Sequence, residues 1–358
     1  MSTLQTIKII MKVILIITAS AAGLILAVLL LNILPVAPGG GGTNPMRVVE
    51  SGSAHIVPHG GAKELFPENT VYSYRQIYAR GWDTFEIDLV LTSDGVLVTH
   101  HDLDIEATTG VEGVQLADLQ YSELQNYNFA ANFVNPRGER PFADLSSLPD
   151  EISDQMIPAR LEDLFQEFPD SYYILELKDT VDASGSSRAE EASAELLTLI
   201  EKYSMQDRAI VASFDDQVIR EFRERSGGEI PTGAATGETL TLSVLSALAL
   251  DFFLVPEYSA VMLPVKDRIY PAEREIIENL PAPLRRALAS YDPDEDMYYT
   301  NLANRRMVQD AHRKNLAVFY WTVNDPETMK YLIDLGVDGI ITDRPDILSE
   351  ILGTAARD

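Results

Sequence analysis

A (β/α)8 TIM barrel with insertions, preceded by a single N-terminal transmembrane helix, is the α/β architecture that this 358-residue sequence predicts. Three observations lead there. Short apolar runs alternate with amphipathic stretches from about Val48 to Leu352, without a linker-like break. No Gly-rich dinucleotide fingerprint follows the first run, which disfavours the open, doubly wound alternative. Ahead of them all, Val13–Leu34 carries no charge, enough to cross a bilayer core at about 1.5 Å per residue.

Taken in order, residues 1–12 form the cytoplasmic N-terminus of such a protein, because Lys8 and Lys12 precede the span and no acidic residue lies before Glu50. Residues 13–34 are the anchor. A cleaved signal peptide is the rival, but its apolar region is usually shorter, and Leu34-Pro35-Val36-Ala37-Pro38 is a poor cleavage context. Residues 35–47, with Gly39-Gly40-Gly41-Gly42, read as a flexible linker. Residues 48–358 form one catalytic domain, expected outside the cytoplasm on a single-pass membrane protein.

Eight strands are expected at Ala54–Pro58, Thr84–Leu89, Tyr172–Leu177, Ala209–Ser213, Ile230–Gly233, Phe252–Val255, Ala317–Thr322 and Gly339–Thr342. Helices are expected at Thr70–Arg80, Leu161–Glu167, Ala189–Tyr203, Asp216–Ser226, Leu240–Leu250, Asn301–Lys314, Pro326–Leu335 and Pro345–Leu352. Ser93-Asp94-Gly95 is a hairpin signal, so Val96–His100 folds back as a short strand. Residues 111–158 make a long connection. A second insertion, Tyr258–Tyr299, is either a packed excursion or a lid or lipid-facing element, with Glu273–Ala289 amphipathic.

Composition narrows the chemistry. The sequence has no cysteine, which excludes disulfides and thiolate metal sites. A net charge of −27 repels nucleic acid, whose binding rests on basic contacts to phosphate. No nucleic-acid partner is expected; the partners are a small-molecule substrate and, through the anchor, the membrane.

Barrel enzymes assemble their sites from residues at the C-terminal ends of strands. His59 follows the first expected strand. Glu86 and Asp88 share a face of the second, because side chains alternate along a strand. His100 and His101 end the hairpin, and Glu176 and Lys178 end the third strand on one face. Three carboxylates at adjacent strand ends make a hard oxygen pocket suited to Mg2+ or Ca2+, while Lys178 balances phosphate charge. Two carboxylates on a central strand are costly to bury without a cation.

In these residues and the motifs around them, the chain resembles the glycerophosphodiester phosphodiesterase family. The matching pieces are His59-Gly60-Gly61, Pro67-Glu68-Asn69-Thr70, Glu86-Ile87-Asp88, Asp94-Gly95, His101-Asp102, Glu176-Leu177-Lys178, Trp321-Thr322-Val323-Asn324 and Gly336–Pro345. The expected anchor, Ala107-Thr108-Thr109-Gly110, Glu167-Phe168-Pro169 and Phe252–Glu257 look closer to its membrane-bound lysophospholipase D subgroup. The resemblance implies a phosphoric diester hydrolase that releases glycerol 3-phosphate and an alcohol. It implies Glu86, Asp88 and Glu176 as ligands of a divalent metal, His59 as general base and His101 as general acid. Lys178 and Trp321 become substrate-binding residues, and Glu68 and Asn69 support the site. In the family's mechanism the substrate's own free 2-hydroxyl attacks phosphorus, giving a cyclic phosphate that water opens.

Gly60 departs from that pattern, where the family usually has an arginine contacting phosphate. Lys63, in the following loop, is the nearest replacement donor. Three functions therefore stand: a glycerophosphodiesterase, a membrane-associated lysophospholipase D, and a catalytically silent phosphodiester-binding protein. Several residues also carry a plain structural alternative. Asn69 suits a helix N-cap, His100 a structural neighbour of His101, Trp321 a core residue, and His55 and His312 core or surface.

Overall fold

The computed structural model describes residues 3–31, 44–48, 53–178 and 188–354. Its centre is a (β/α)8-like barrel assembled from two four-stranded sheets. One contains His55–Pro58, Gly339–Thr342, Ala317–Trp321 and Ala260–Pro264, all parallel neighbours in that order. The other contains Leu97–Thr99, Thr84–Leu91, Tyr172–Leu177 and Ala209–Ala212; the first of these is the antiparallel hairpin partner. The sheets meet at Thr232 and Gly233, which make single parallel bridges to Val211 and Ala260. At the opposite seam, side chains span the first and second barrel strands: Thr84 Oγ1 lies 3.5 Å from His55 Nδ1.

Seven of the eight expected strand positions hold strand or bridge structure. Phe252–Val255 does not: Asp251–Phe253 is a 3-10 turn, and the barrel strand falls at Ala260–Pro264, inside the expected insertion. Two neighbouring cations, the buried Lys314 and the half-buried Arg313, account for this. Lys314 Nζ takes the Leu254 carbonyl at 3.1 Å, and Arg313 takes the Asp251 carboxylate at 3.0 Å, so this backbone turns outward instead of pairing. What remains of the insertion is a small antiparallel sheet of Arg268–Ile269, Met297–Thr300 and Ala289–Asp292. The amphipathic run beside it breaks at Leu280–Pro281 into helices Pro271–Asn279 and Ala282–Leu288, as a proline must break it.

The helices follow their local signals. Pro326–Leu335 begins on Asp325, whose carboxylate accepts from the Thr328 N–H at 2.8 Å, and ends on Gly336 in a left-handed conformation. Thr70 caps Val71–Ala79 in a reciprocal box with Ser73. Inside the barrel, Val57, Ile174, Ile210, Ala260, Phe319 and Ile341 form the buried interior.

The base of that interior is closed by the stretch preceding the first strand. Met46 is fully buried among those side chains. Asn44 Nδ2 donates to the carbonyls of Ser259 (2.7 Å) and Asn315 (2.9 Å), and the Val48 N–H donates to Asp338 Oδ1 at 2.7 Å. Asn44–Arg47, expected at the end of the linker, is thus fixed to the barrel; residues 35–43 lie outside the described residues.

Thr3–Leu31 forms one helix of 29 residues. Among the described residues, however, no helix is long and apolar enough to cross a membrane. The expected anchor at Val13–Leu34, and with it the single-pass membrane localisation and the membrane as partner, is corrected accordingly. The helix starts in the polar turns around Gln5, Thr6 and Lys8, and Asn32–Leu34 lie outside the described residues. The uncharged stretch left within the described helix is Val13–Leu31, shorter than the expected Val13–Leu34 run.

Candidate active site

A cavity of about 230 Å3 opens at the C-terminal ends of the strands, lined by His59, Glu86, His101, Glu176 and Lys178 on one side. The opposite wall is apolar, with Phe214, Ala234, Met262 and Trp321. The rings of Phe214 and Trp321 meet edge to face at 5.7 Å, and Phe214 is 56% exposed at the rim.

Glu86, Asp88 and Glu176 each offer a carboxylate oxygen within 4.8 Å of the others. Strand register brings them together, since Asp88 pairs directly with Glu176 across the parallel ladder and Glu86 lies two residues earlier on the same face. The donor set is all hard oxygen, which fits Mg2+ or Ca2+. Burial, together with the neighbouring Asp88, pushes the Glu86 carboxyl up to about 7. Burial also raises Glu176 above its ordinary value, even with Lys178 alongside. A divalent cation would relieve this concentration of buried negative charge.

Asp88 behaves oppositely. Burial works against its charge, but Lys178 and Lys63 hold it well below the ordinary carboxylate value. Lys178 Nζ lies 3.0 Å from Asp88 and 2.7 Å from Glu176. Burial likewise disfavours its charge, and these two carboxylates keep the ammonium firmly protonated. Asn69, in a left-handed conformation, donates from Nδ2 to Asp88 Oδ2 at 3.0 Å and accepts from Tyr74 Oη at 2.8 Å. It therefore holds a carboxylate, while the helix cap expected of it belongs to Thr70. Glu68 pairs with Lys63 at 3.0 Å.

His59 sits in a one-turn 3-10 helix directly after the first strand. Its Nδ1 is 2.8 Å from Asp343 Oδ1. A carboxylate can only accept, so Nδ1 carries the proton and Nε2 is left as the acceptor. Burial disfavours the imidazolium, yet the hydrogen bond to Asp343 and the charge of Glu86 raise His59 above its ordinary value. His101 is arranged alike, Nδ1 lying 2.7 Å from Asp102 Oδ1. His100 stays outside the cavity: it is buried, with Nδ1 2.7 Å from the Asp102 carbonyl, and burial lowers its pKa below the ordinary histidine value. His55 packs inside the barrel against Tyr172 and Phe319, and His312 pairs with Asp338.

Gly60 has a definite local reason. Its φ is +50°, and a Cβ built there would lie 2.5 Å from Lys63 Cε. Its N–H donates to Glu86 Oε2 at 2.9 Å. Lys63 therefore fills the space beside Gly60, with its ammonium 3.9 Å from Asp88. Sequence reasoning placed His59, His101, the three acids, Lys178 and Trp321, all of which come together here except that Asp88 stands behind the cavity wall. It missed Asp343, Asn324, Phe214 and Met262; the first two lie in motifs already singled out, Trp321–Asn324 and Gly336–Pro345.

Known proteins share this arrangement of sequence. The model of the glycerophosphoryl diester phosphodiesterase family matches residues 59–347. A glycerophosphodiester phosphodiesterase of Caldanaerobacter subterraneus is 24% identical, covering 83% of this chain and 97% of its own length. A lysophospholipase D of Homo sapiens is 26% identical, covering 83% and 85%. Among solved structures, a putative glycerophosphoryl diester phosphodiesterase from Silicibacter pomeroyi superposes with a TM-score of 0.60 at 23% identity, covering 87% of this chain and 97% of that one. An Oleispira antarctica phosphodiesterase in complex with the product sn-glycerol-3-phosphate gives 0.55 at 19% identity, covering 83% and 96%.

Proposed function

This chain belongs to the glycerophosphoryl diester phosphodiesterase family, and from that premise we propose that it is a divalent-metal-dependent hydrolase of glycerophosphodiesters, releasing glycerol 3-phosphate and an alcohol. One observation carries the reading. Two histidines, each with Nδ1 committed to a carboxylate, flank a cavity that also exposes Glu86 and Glu176 of an all-carboxylate cation site.

Glu86, Asp88 and Glu176 would hold Mg2+ or Ca2+, and such an ion, when bound, polarises the phosphoryl oxygens. Lys178 adds positive charge to the phosphate position, and Lys63 holds Glu68 and Asp88 in place beside it. His59 Nε2 takes the proton of the substrate's 2-hydroxyl as that oxygen bonds to phosphorus. His101 delivers a proton to the alcohol oxygen as its bond to phosphorus breaks. The cyclic phosphate is then opened by water, with His101 accepting the water proton as the new P–O bond forms and His59 returning its proton to the glycerol 2-oxygen as that oxygen leaves phosphorus. The requirement for a free 2-hydroxyl excludes diacyl lipids.

A second reading, lysophospholipase D activity on lysophospholipids, is favoured by the apolar wall of Phe214, Ala234, Met262 and Trp321. Product analysis on glycerophosphocholine and lysophosphatidylcholine, with Mg2+ and Ca2+ compared, separates the two. Chelation or Glu86→Ala should lower turnover by at least ~10²-fold, and readdition of one of these ions should restore the wild type only. Activity that survives chelation, or no hydrolysis of either substrate with any divalent ion, would sink the proposal.

A further inference from the structure

The hydrogen bonds behind His59 extend well past its own strand. Asp343 Oδ1 accepts from His59 Nδ1, and Asp343 Oδ2 accepts from Asn324 Nδ2 at 2.8 Å. The Asn324 amide cannot be turned around. Its Oδ1 accepts from Thr342 Oγ1 at 3.0 Å and from the Asp343 N–H at 2.9 Å, which forces the NH2 group toward the carboxylate. Thr342 is in turn fixed by the Arg344 N–H, which donates to its hydroxyl at 2.9 Å. Asn324 Nδ2 also donates to Glu64 Oε1 at 3.2 Å; the other partners lie on the last two barrel strands or the turns after them, whereas His59 itself follows the first strand.

We propose that Asn324 and Asp343 form a positioning relay that fixes the tautomer and ring plane of His59, making the junction of first and last strands part of the reaction machinery. Neither residue lines the cavity; both act through His59. Their effect is to keep the proton on Nδ1, so that the Nε2 lone pair faces the substrate. Without the carboxylate, Nδ1–H loses its acceptor, and the Nε2–H tautomer, which cannot accept a proton at Nε2, becomes populated. The kinetic part of this inference rests on the phosphodiesterase reading; the tautomer part does not.

The test therefore has two arms. Imidazole ¹⁵N NMR of the full chain, with the His59 signals assigned by comparison with His59→Ala, should show the Nδ1–H form in the wild type and a shift toward Nε2–H in Asp343→Asn. In parallel, Asp343→Asn should lower kcat roughly 10²–10⁴-fold with KM changed less than about threefold, and Asn324→Ala should lower kcat about tenfold. Asp343→Glu should recover part of the loss. Circular dichroism checks that each variant is folded. A tautomer unchanged in folded Asp343→Asn overturns the relay. A tautomer that shifts while the wild type hydrolyses no phosphodiester leaves the relay standing and removes the proposed function instead. If Asp343→Asn fails to fold, Asn324→Ala carries the same readouts, and an unaltered ring and rate there refute the proposal.

Discussion

The two histidines face one cavity from different surroundings. On the His59 side, imidazole and carboxylate are 20% and 16% exposed, and the carboxylate comes from the far end of the chain, 284 residues away. On the His101 side, both partners are 46% exposed and adjacent in sequence. A proton acceptor must present one lone pair in one direction throughout the first step, and a pre-set ring does this. A proton donor to a departing alcohol meets a group whose bulk varies with the substrate, so an open, less constrained ring suits it. Under the proposed roles, the difference teaches that rigidity is concentrated on the side that would handle the glycerol moiety.

The largest effect separates the two halves by leaving group. His59→Ala should lower kcat roughly 10²–10⁴-fold on both glycerophosphocholine and a glycerophosphodiester of 4-nitrophenol. His101→Ala should show a comparable loss on the choline ester and regain at least ~10-fold of it on the nitrophenyl ester, which leaves without protonation. Equal losses on both esters in His101→Ala would break the assignment of acid and base.

A stability effect comes next, at the turn that carries His59. Gly60→Arg combines positive φ with a collision at Lys63 and should cost about 1–2 kcal/mol in chemical denaturation. Pairing it with Lys63→Ala should recover the part owed to the collision. A Gly60→Arg protein as stable as wild type would show that this half is less tightly packed than the geometry indicates.

Smaller still is Asp102→Asn. With its carboxylate half in solvent, it should reduce kcat by less than ~10-fold, well under the loss from Asp343→Asn. Equal losses would erase the contrast between the two sides.

The smallest effect is a pH dependence of melting. His59 is raised above its ordinary 6.5, so its pairing stabilises the fold below that pH and fades as pH rises through the folded value. Asp343 is lowered below its ordinary 3.8, so its contribution is present above that value and fades as pH falls through the folded one. Calorimetry should therefore find the Tm difference between wild type and Asp343→Asn larger near pH 5.5 than near pH 8. A difference that grows with pH would contradict the pairing.

Much of the cavity's polar side could be read from sequence because it depends on short-range rules. Glu86 and Asp88 share a face through strand alternation, and Glu176 and Lys178 do the same. Pro326–Leu335 and Pro345–Leu352 were legible to the residue because proline starts each and a left-handed glycine ends each. Phe252–Val255 was misread because an apolar run identifies burial and not backbone pairing; Asp251, Arg313 and Lys314 decided the outcome from a distance. Asp343 and Asn324 were visible only as motif letters, since nothing local announces a hydrogen bond to a histidine 284 residues away in sequence, which barrel closure alone brings alongside. The N-terminal helix was misjudged where an uncharged run was equated with a membrane span.

Met46 has a consequence for how this protein is made. It leaves the ribosome ahead of every strand, while Ala317, Phe319 and Ile341, which surround it, emerge near the end. The barrel floor can be sealed only when synthesis is almost complete, so an earlier nascent chain holds an apolar side chain without its socket. The packed unit also begins before the family match: the match opens at His59, but the floor starts at Asn44. A domain trimmed to the match would lose Met46, and filling that void with nothing costs on the order of 2–5 kcal/mol.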